Sequence, residues 1–222
     1  MFEPGQGWQY GTGIDWADRL IEAVTGETFD AYMRRRVLSP LGMDDSGFFL
    51  GEYQRGRLAS MHARTPDGGL APMNFAMPPT AYFGMGGGGL YSRPSQYLRF
   101  LDSMLGRGPQ LLKSAQLDAL CATEIEGAQV GVLESAQPNT SNTFDPFPDA
   151  AKAWTLGFVA NLAPGPNGRA AGSLAWAGLS NCYYWIDRAA GAAGVMCAQF
   201  LPFADPRALA AFGAFERAVY AA

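Results

Sequence analysis

Apolar residues at helical spacing through the first half of the chain, short aromatic and β-branched runs parted by glycine turns after residue 150, and a last amphipathic segment predict an α+β fold. The expected architecture is a mainly helical region with long loops at 1–150, then an antiparallel sheet with a C-terminal helix at 151–222. Apolar material is sufficient for a core, since 48% of the 222 residues are hydrophobic and 16% are charged.

Ile14, Ala17, Ile21 and Val24 share one side of a first helix that Gly26 should stop. A second helix, from about Thr28 to Leu38, should bury Phe29, Tyr32, Met33 and Val37. Its Arg34-Arg35-Arg36 run reads as a solvated face. Residues 44–92 read as loop and turn. A third helix should start near Pro94, which suits a first helical position, and carry Leu98, Leu101, Met104 and Leu105 on one side. A fourth runs from Ser114, its expected N-cap, to about Ala122. Beyond a proline-punctuated connection, strands are expected at Trp154–Asn161, Ser173–Ala177, Asn181–Asp187 and Ala193–Leu201. Asp205 should cap a final helix with Pro206 at its first position and Leu209, Phe212, Phe215 and Val219 as its stripe. Three or four strands backed by one helix should leave one face or edge of the sheet short of cover.

A net charge of −4 argues against nucleic acid as a partner, and no apolar run has transmembrane length. The expectation is a cytoplasmic protein with neither nucleic acid nor membrane among its partners. Cys121, Cys182 and Cys197 are too few for a disulfide framework or a zinc site, so no metal and no cofactor is expected; Cys182 and Cys197 could approach each other from neighbouring strands. The single histidine, His62, has no Gly-x-Ser-x-Gly elbow to serve and reads as a loop residue. Gly86 to Gly89 lack the Gly-Lys-Ser/Thr continuation of a phosphate loop; they suggest positive φ angles or a close backbone approach. Asp44, Asp45, Glu124 and Glu126 have no spacing that favours paired-carboxylate chemistry. Tyr10 lies between glycine-rich turns just before a helix, and on composition alone it reads as a packing residue.

Four segments change that reading: Pro4-Gly5-Gln6-Gly7-Trp8-Gln9-Tyr10, Pro40-Leu41-Gly42-Met43, Gly86-Gly87-Gly88-Gly89-Leu90-Tyr91-Ser92 and Trp176-Ala177-Gly178. In this order they resemble the later part of serine β-lactamase-type hydrolases, most closely the carboxylesterases of the class C β-lactamase fold known as family VIII esterases. The resemblance implies a β-lactamase/transpeptidase-like fold with the site between the helical region and the sheet. It implies a nucleophilic serine in Ser-x-x-Lys, with Tyr10 matching the tyrosine that shares in proton transfer. Trp176-Ala177-Gly178 matches the Trp-x-Gly element, so that the backbone N–H of Leu179 is one oxyanion donor. Thr12 and Trp176 stand where the lactamases carry asparagine and lysine, which shifts the expected substrate from lactam to ester.

No serine in the chain is followed three residues later by lysine, so the chain carries no nucleophile of this type. The expectation is a C-terminal portion, with the N-terminal strands and the nucleophile helix upstream, inactive alone and completed by that segment or by a second copy. Two alternatives differ in class: a shortened non-catalytic protein that binds a ligand or partner, and catalysis through Ser180. A lactamase or penicillin-binding-protein-like amide hydrolase is the alternative within the family.

Overall fold

The computed structural model describes residues 2–3, 5–75, 84–123, 130–148 and 150–221. Helix α1 (Gly13–Thr25) ends at Gly26, which takes a φ of 71° and donates its N–H to Glu22 O. A side chain there would be strained, so glycine stops the helix. The stripe on α1 departs from expectation. Ile14 and Val24 are exposed, with Trp16 and Leu20 beside them, and the residue that α1 buries is Asp18. An apolar period gives a helix an apolar side; it does not supply the neighbour that covers it.

The second helix is α-helical only over α2 (Phe29–Met33) and continues as a π-helical turn, Arg34–Leu38. Phe29 and Leu38 are buried, while Tyr32, Met33 and Val37 are half-buried. Arg34 corrects the reading of its run as a solvated face: its Nε donates to Asp30 at 2.8 Å and its Nη1 to Ser46 O at 3.3 Å.

Residues 44–92 hold more regular structure than their turn-rich composition predicts. They include the short helix α3 (Glu52–Arg55) and a hairpin of β1 (His62–Arg64) and β2 (Leu70–Pro72). His62 is therefore in a half-buried strand, not a loop. Strand β1 also pairs in parallel with a segment at Phe200–Leu201. Pairing between such short and remote strands leaves no local pattern to read.

Helix α4 (Pro94–Met104) has proline in its first turn and buries Leu101 and Met104, but Leu98 is exposed and Tyr97 and Phe100 pack instead. Helix α5 (Ser114–Cys121) is capped at Lys113 and not at Ser114; Gln116 Oε1 accepts the Lys113 N–H at 3.0 Å.

The strand expected at Trp154–Asn161 is a hairpin. Thr155 Oγ1 accepts the N–H groups of Gly157 and Phe158 and turns β3 (Lys152–Trp154) back as β4 (Val159–Asn161). With β5 (Leu174–Gly178), β6 (Cys182–Asp187) and β7 (Ala192–Met196) they form an antiparallel sheet in sequence order. The strand expected at Ala193–Leu201 splits: β7 stays in this sheet, and β8 (Phe200–Leu201) joins β1 and β2.

The five-stranded sheet has cover on both faces, contrary to expectation. Val159, Ala175, Tyr183 and Trp185 pack on Ala208 and Phe212 of α6 (Pro206–Tyr220). Ala160, Leu174 and Ile186, alternating to the other face, pack on Leu101 and Met104 of α4 and Leu117 of α5. Helices from the first region thus supply the second layer. As expected, Asp205 caps α6, its side chain accepting from the N–H groups of Arg207 and Ala208.

Candidate functional site

Tyr10 precedes α1 and Trp176 sits in β5, yet their ring centroids are 5.0 Å apart with the planes tilted by 50°. Trp176 meets Trp154 edge-on at 4.6 Å, and Trp154 meets Trp8 at 5.2 Å. A file of four rings therefore lays the glycine-rich opening loop on the sheet. Each such contact contributes about 0.5–1.5 kcal/mol beyond area burial. The loop's Pro4 lies outside the described residues. Thr12 stands at the N-cap position of α1, exposed and making no side-chain cap.

The strand register pairs Trp176 with Tyr184 and Gly178 with Cys182, which leaves Leu179, Ser180 and Asn181 as the turn between β5 and β6. Leu179 is 50% exposed in this turn. Asn181 closes the turn with a φ of 62°, a left-handed conformation that asparagine tolerates better than most residues.

Asn181 is also fully buried and fully bonded. Its Nδ2 donates to Phe200 O and Pro202 O, each at 2.9 Å, and its Oδ1 accepts from Tyr183 Oη and from the Asp205 N–H. This one side chain fixes the turn that carries Leu179 to β8 and to the start of α6. Sequence reading missed it. The available signal was an asparagine at the first position of a predicted strand, three residues after Gly178.

Ser180 Oγ accepts from Gln199 Nε2 at 3.1 Å and lies 3.4 Å from Cys182 Sγ. Among the described residues no lysine or histidine bonds to it. Lys152 is held by Asp145 and Phe147 O, and Lys113 is at the start of α5. The catalytic reading of Ser180 therefore finds no activating base.

Two other phenols lie near the Tyr10–Trp176 pair. Burial pushes Tyr97 up to about 12, and burial together with Tyr97 raises Tyr184 well above the usual phenol value. Both stay neutral at physiological pH. Tyr10, at 43% exposure, is the phenol that a ligand can reach.

The four-glycine loop binds the chain's own carboxylates. Asp18 accepts the Gly86 N–H, and Asp15 accepts the Gly87 N–H at 3.0 Å. None of the four glycines has positive φ; the left-handed residue is Met85, with a φ of 46°. Close approach is what requires glycine here: a Cβ on Gly86 would lie 2.2 Å from Asp18 Oδ1, and one on Gly89 would lie 2.6 Å from Gly84 O.

Asp45 pairs with Arg57 at 2.8 Å, and Glu124 and Glu126 lie outside the described residues. Among the described residues no cluster of histidine, cysteine, aspartate or glutamate could hold a metal, and no helix is long and apolar enough to cross a membrane.

A family model described as beta-lactamase matches residues 1–218. The chain belongs to the beta-lactamase family. It is 30% identical over 231 residues to monacolin J acid methylbutanoyltransferase of Aspergillus terreus, covering 99% of this chain and 55% of that protein. It is 30% identical over 209 residues to lovastatin esterase of Penicillium rubens, covering 87% of this chain and 51% of that protein. The structure of unliganded simvastatin synthase from Aspergillus terreus superposes with a TM-score of 0.84 at 29% identity, over 99% of this chain and 56% of that one. By name, the two curated relatives are a methylbutanoyltransferase and an esterase. The chain spans about half the length of the curated relatives it matches.

Proposed function

We propose that this chain supplies the tyrosine and oxyanion side of a serine carboxylesterase that works through an acyl-enzyme. The observation that carries the reading is the contact of Tyr10 with Trp176, which joins the two motifs that the family resemblance makes functional. The nucleophile is a serine of Ser-x-x-Lys outside these 222 residues, provided by a preceding segment. On attack, the ester carbonyl becomes a tetrahedral oxyanion that accepts from the Leu179 N–H. A donor so placed is worth about 3–4 kcal/mol of barrier.

Tyr10 shares in carrying the serine proton to the departing alkoxide, and later the proton of the attacking water to the serine. A free phenol titrates at about 10, so this role needs the lysine of the missing motif nearby as a cation. Trp176 and Thr12 favour an ester over a lactam because neither offers the lysine or asparagine contacts of the lactamases. Small-molecule esters are the substrate class.

A second reading is transfer of the acyl group to an alcohol in place of water, favoured by the methylbutanoyltransferase among the relatives. The test uses the complete protein with a chromogenic short-chain ester, a chromogenic cephalosporin and an added alcohol acceptor. Tyr10→Phe should lower ester turnover by at least about a hundredfold; a change of only a few-fold would overturn the assignment. The 222-residue chain assayed alone should not turn over either substrate.

A further inference from the structure

On the ladder between β6 and β7, Tyr183 stands opposite Met196. One more step of the antiparallel register sets Cys182 opposite Cys197. Facing residues of such a pair have Cα atoms about 4.5–5.5 Å apart, within the span of about 4.4–6.8 Å that a disulfide bridges. Cys182 Sγ donates to the O of Ala198, the residue after Cys197, at 3.3 Å. Cys197 is exposed and Cys182 half-buried, while Cys121 is on α5. The pair also lies beside a functional strand, because Cys182 faces Gly178 of the Trp176-Ala177-Gly178 element.

Ionisation of the pair is eased at one sulfur. Donation from Cys197, joined by Ser180 and Gln199, lowers the Cys182 thiol to about 6 in spite of burial, and the Cys197 thiol is pushed up in return. A thiolate is the form that peroxides oxidise, and a second thiol in reach resolves the product.

We propose that Cys182 and Cys197 are an oxidation site, converted by hydrogen peroxide to an intramolecular disulfide that dithiols reverse. The Cys182 thiolate attacks one peroxide oxygen; the O–O bond breaks, the departing hydroxide takes a proton to become water, and a sulfenic acid remains. The Cys197 sulfur then attacks the Cys182 sulfur, the S–O bond breaks, a second water leaves and the S–S bond forms. Two thiols and one peroxide give one disulfide and two waters, with two electrons passing from sulfur to oxygen. The bridge ties β7 to the strand that faces Trp176-Ala177-Gly178.

The test is peroxide treatment of the folded chain, followed by thiol counting and peptide mapping. Two of the three thiols should disappear, the mass should fall by about 2 Da, Cys182 should map to Cys197, and dithiothreitol should restore both. In Cys197→Ser, dimedone should trap a sulfenic acid at Cys182. Cys121→Ser leaves the pair untouched and must still show the full mass loss, which keeps the test valid if either other variant fails to fold. A bridge that includes Cys121, only intermolecular bridges, or three thiols surviving peroxide that oxidises free cysteine would each overturn the proposal. None of these readouts depends on ester turnover.

Discussion

Asn181 Oδ1 accepts the backbone N–H of Asp205 at 3.1 Å, so the turn after Gly178 and the N-terminus of α6 share one buried amide. Truncation to alanine strands Phe200 O, Pro202 O, the Tyr183 hydroxyl and the Asp205 N–H, and places an alanine at positive φ. Asn181→Ala should cost at least about 3 kcal/mol. Asn181→Gly loses the same bonds but tolerates the φ, so it should cost about 1 kcal/mol less. Urea titrations of the two variants give the comparison; equal and small losses would mean that the turn is held by something else.

The glycine loop makes a sharper contrast, because its four members face different surroundings. Gly86→Ala drives a Cβ to within 2.2 Å of a buried carboxylate oxygen, whereas a Cβ on Gly88 meets nothing within 4 Å. Gly86→Ala should destabilise by about 1–3 kcal/mol, and Gly88→Ala should stay within about 0.5 kcal/mol of wild type. Thermal melts of the pair decide whether close approach to Asp18 is what requires glycine.

Local chemistry made α4, α6 and their starts legible: Pro94, Asp205 and Pro206 act within one turn of the helices they begin. The family resemblance assigned Tyr10 and Trp176 to one site, but the contact between their rings was not among the expectations. What stayed hidden depends on partners distant in sequence: β1 on β8, Arg34 on Ser46 O, Asn181 on Asp205, and α4 on the sheet. Helix α1 shows the converse, since its period is strong while Trp16 is 74% exposed. Trp16→Ala should therefore shift stability by no more than about 0.5 kcal/mol, against about 2–5 kcal/mol for Leu101→Ala, which empties a fully buried site. Chemical denaturation of both variants checks the difference.

Arg169 and Glu216 form a two-pronged ion pair, at 2.7 and 2.8 Å, with both side chains 5% exposed. The guanidinium also lies over Phe147, Trp185 and Phe212, and its Nη1 is buried without a hydrogen-bond partner. Desolvating two charges offsets much of their attraction, but a single survivor is left uncompensated. Glu216→Leu should cost about 3–5 kcal/mol. Adding Arg169→Met, which keeps an unbranched apolar chain among the three rings, should recover most of that loss. A double-mutant cycle by urea denaturation measures it, and additive costs would show that the pair is not coupled.

Two buried carboxylates should give stability slopes of opposite sign in acid. Burial raises the Asp18 carboxyl above its ordinary value, in spite of the Gly86 N–H, and Asp15 and Glu22 add to the rise. The folded chain then binds this proton more tightly than the unfolded one, so the Asp18 contribution is largest in acid. It declines as pH rises from about 4 through the folded value. For Asp205, burial opposes ionisation, but the Arg64 guanidinium and the N–H groups of Ala208 and Arg207 hold its carboxyl below the usual range. Its contribution is complete above the unfolded value and is lost as pH falls through the folded one. Urea titrations of wild type, Asp18→Asn and Asp205→Asn between pH 3 and 7 separate the two. The advantage of wild type over Asp18→Asn should grow as pH falls toward about 4, and its advantage over Asp205→Asn should shrink below about 4. Slopes of the same sign would mean that one of the two environments is assigned wrongly.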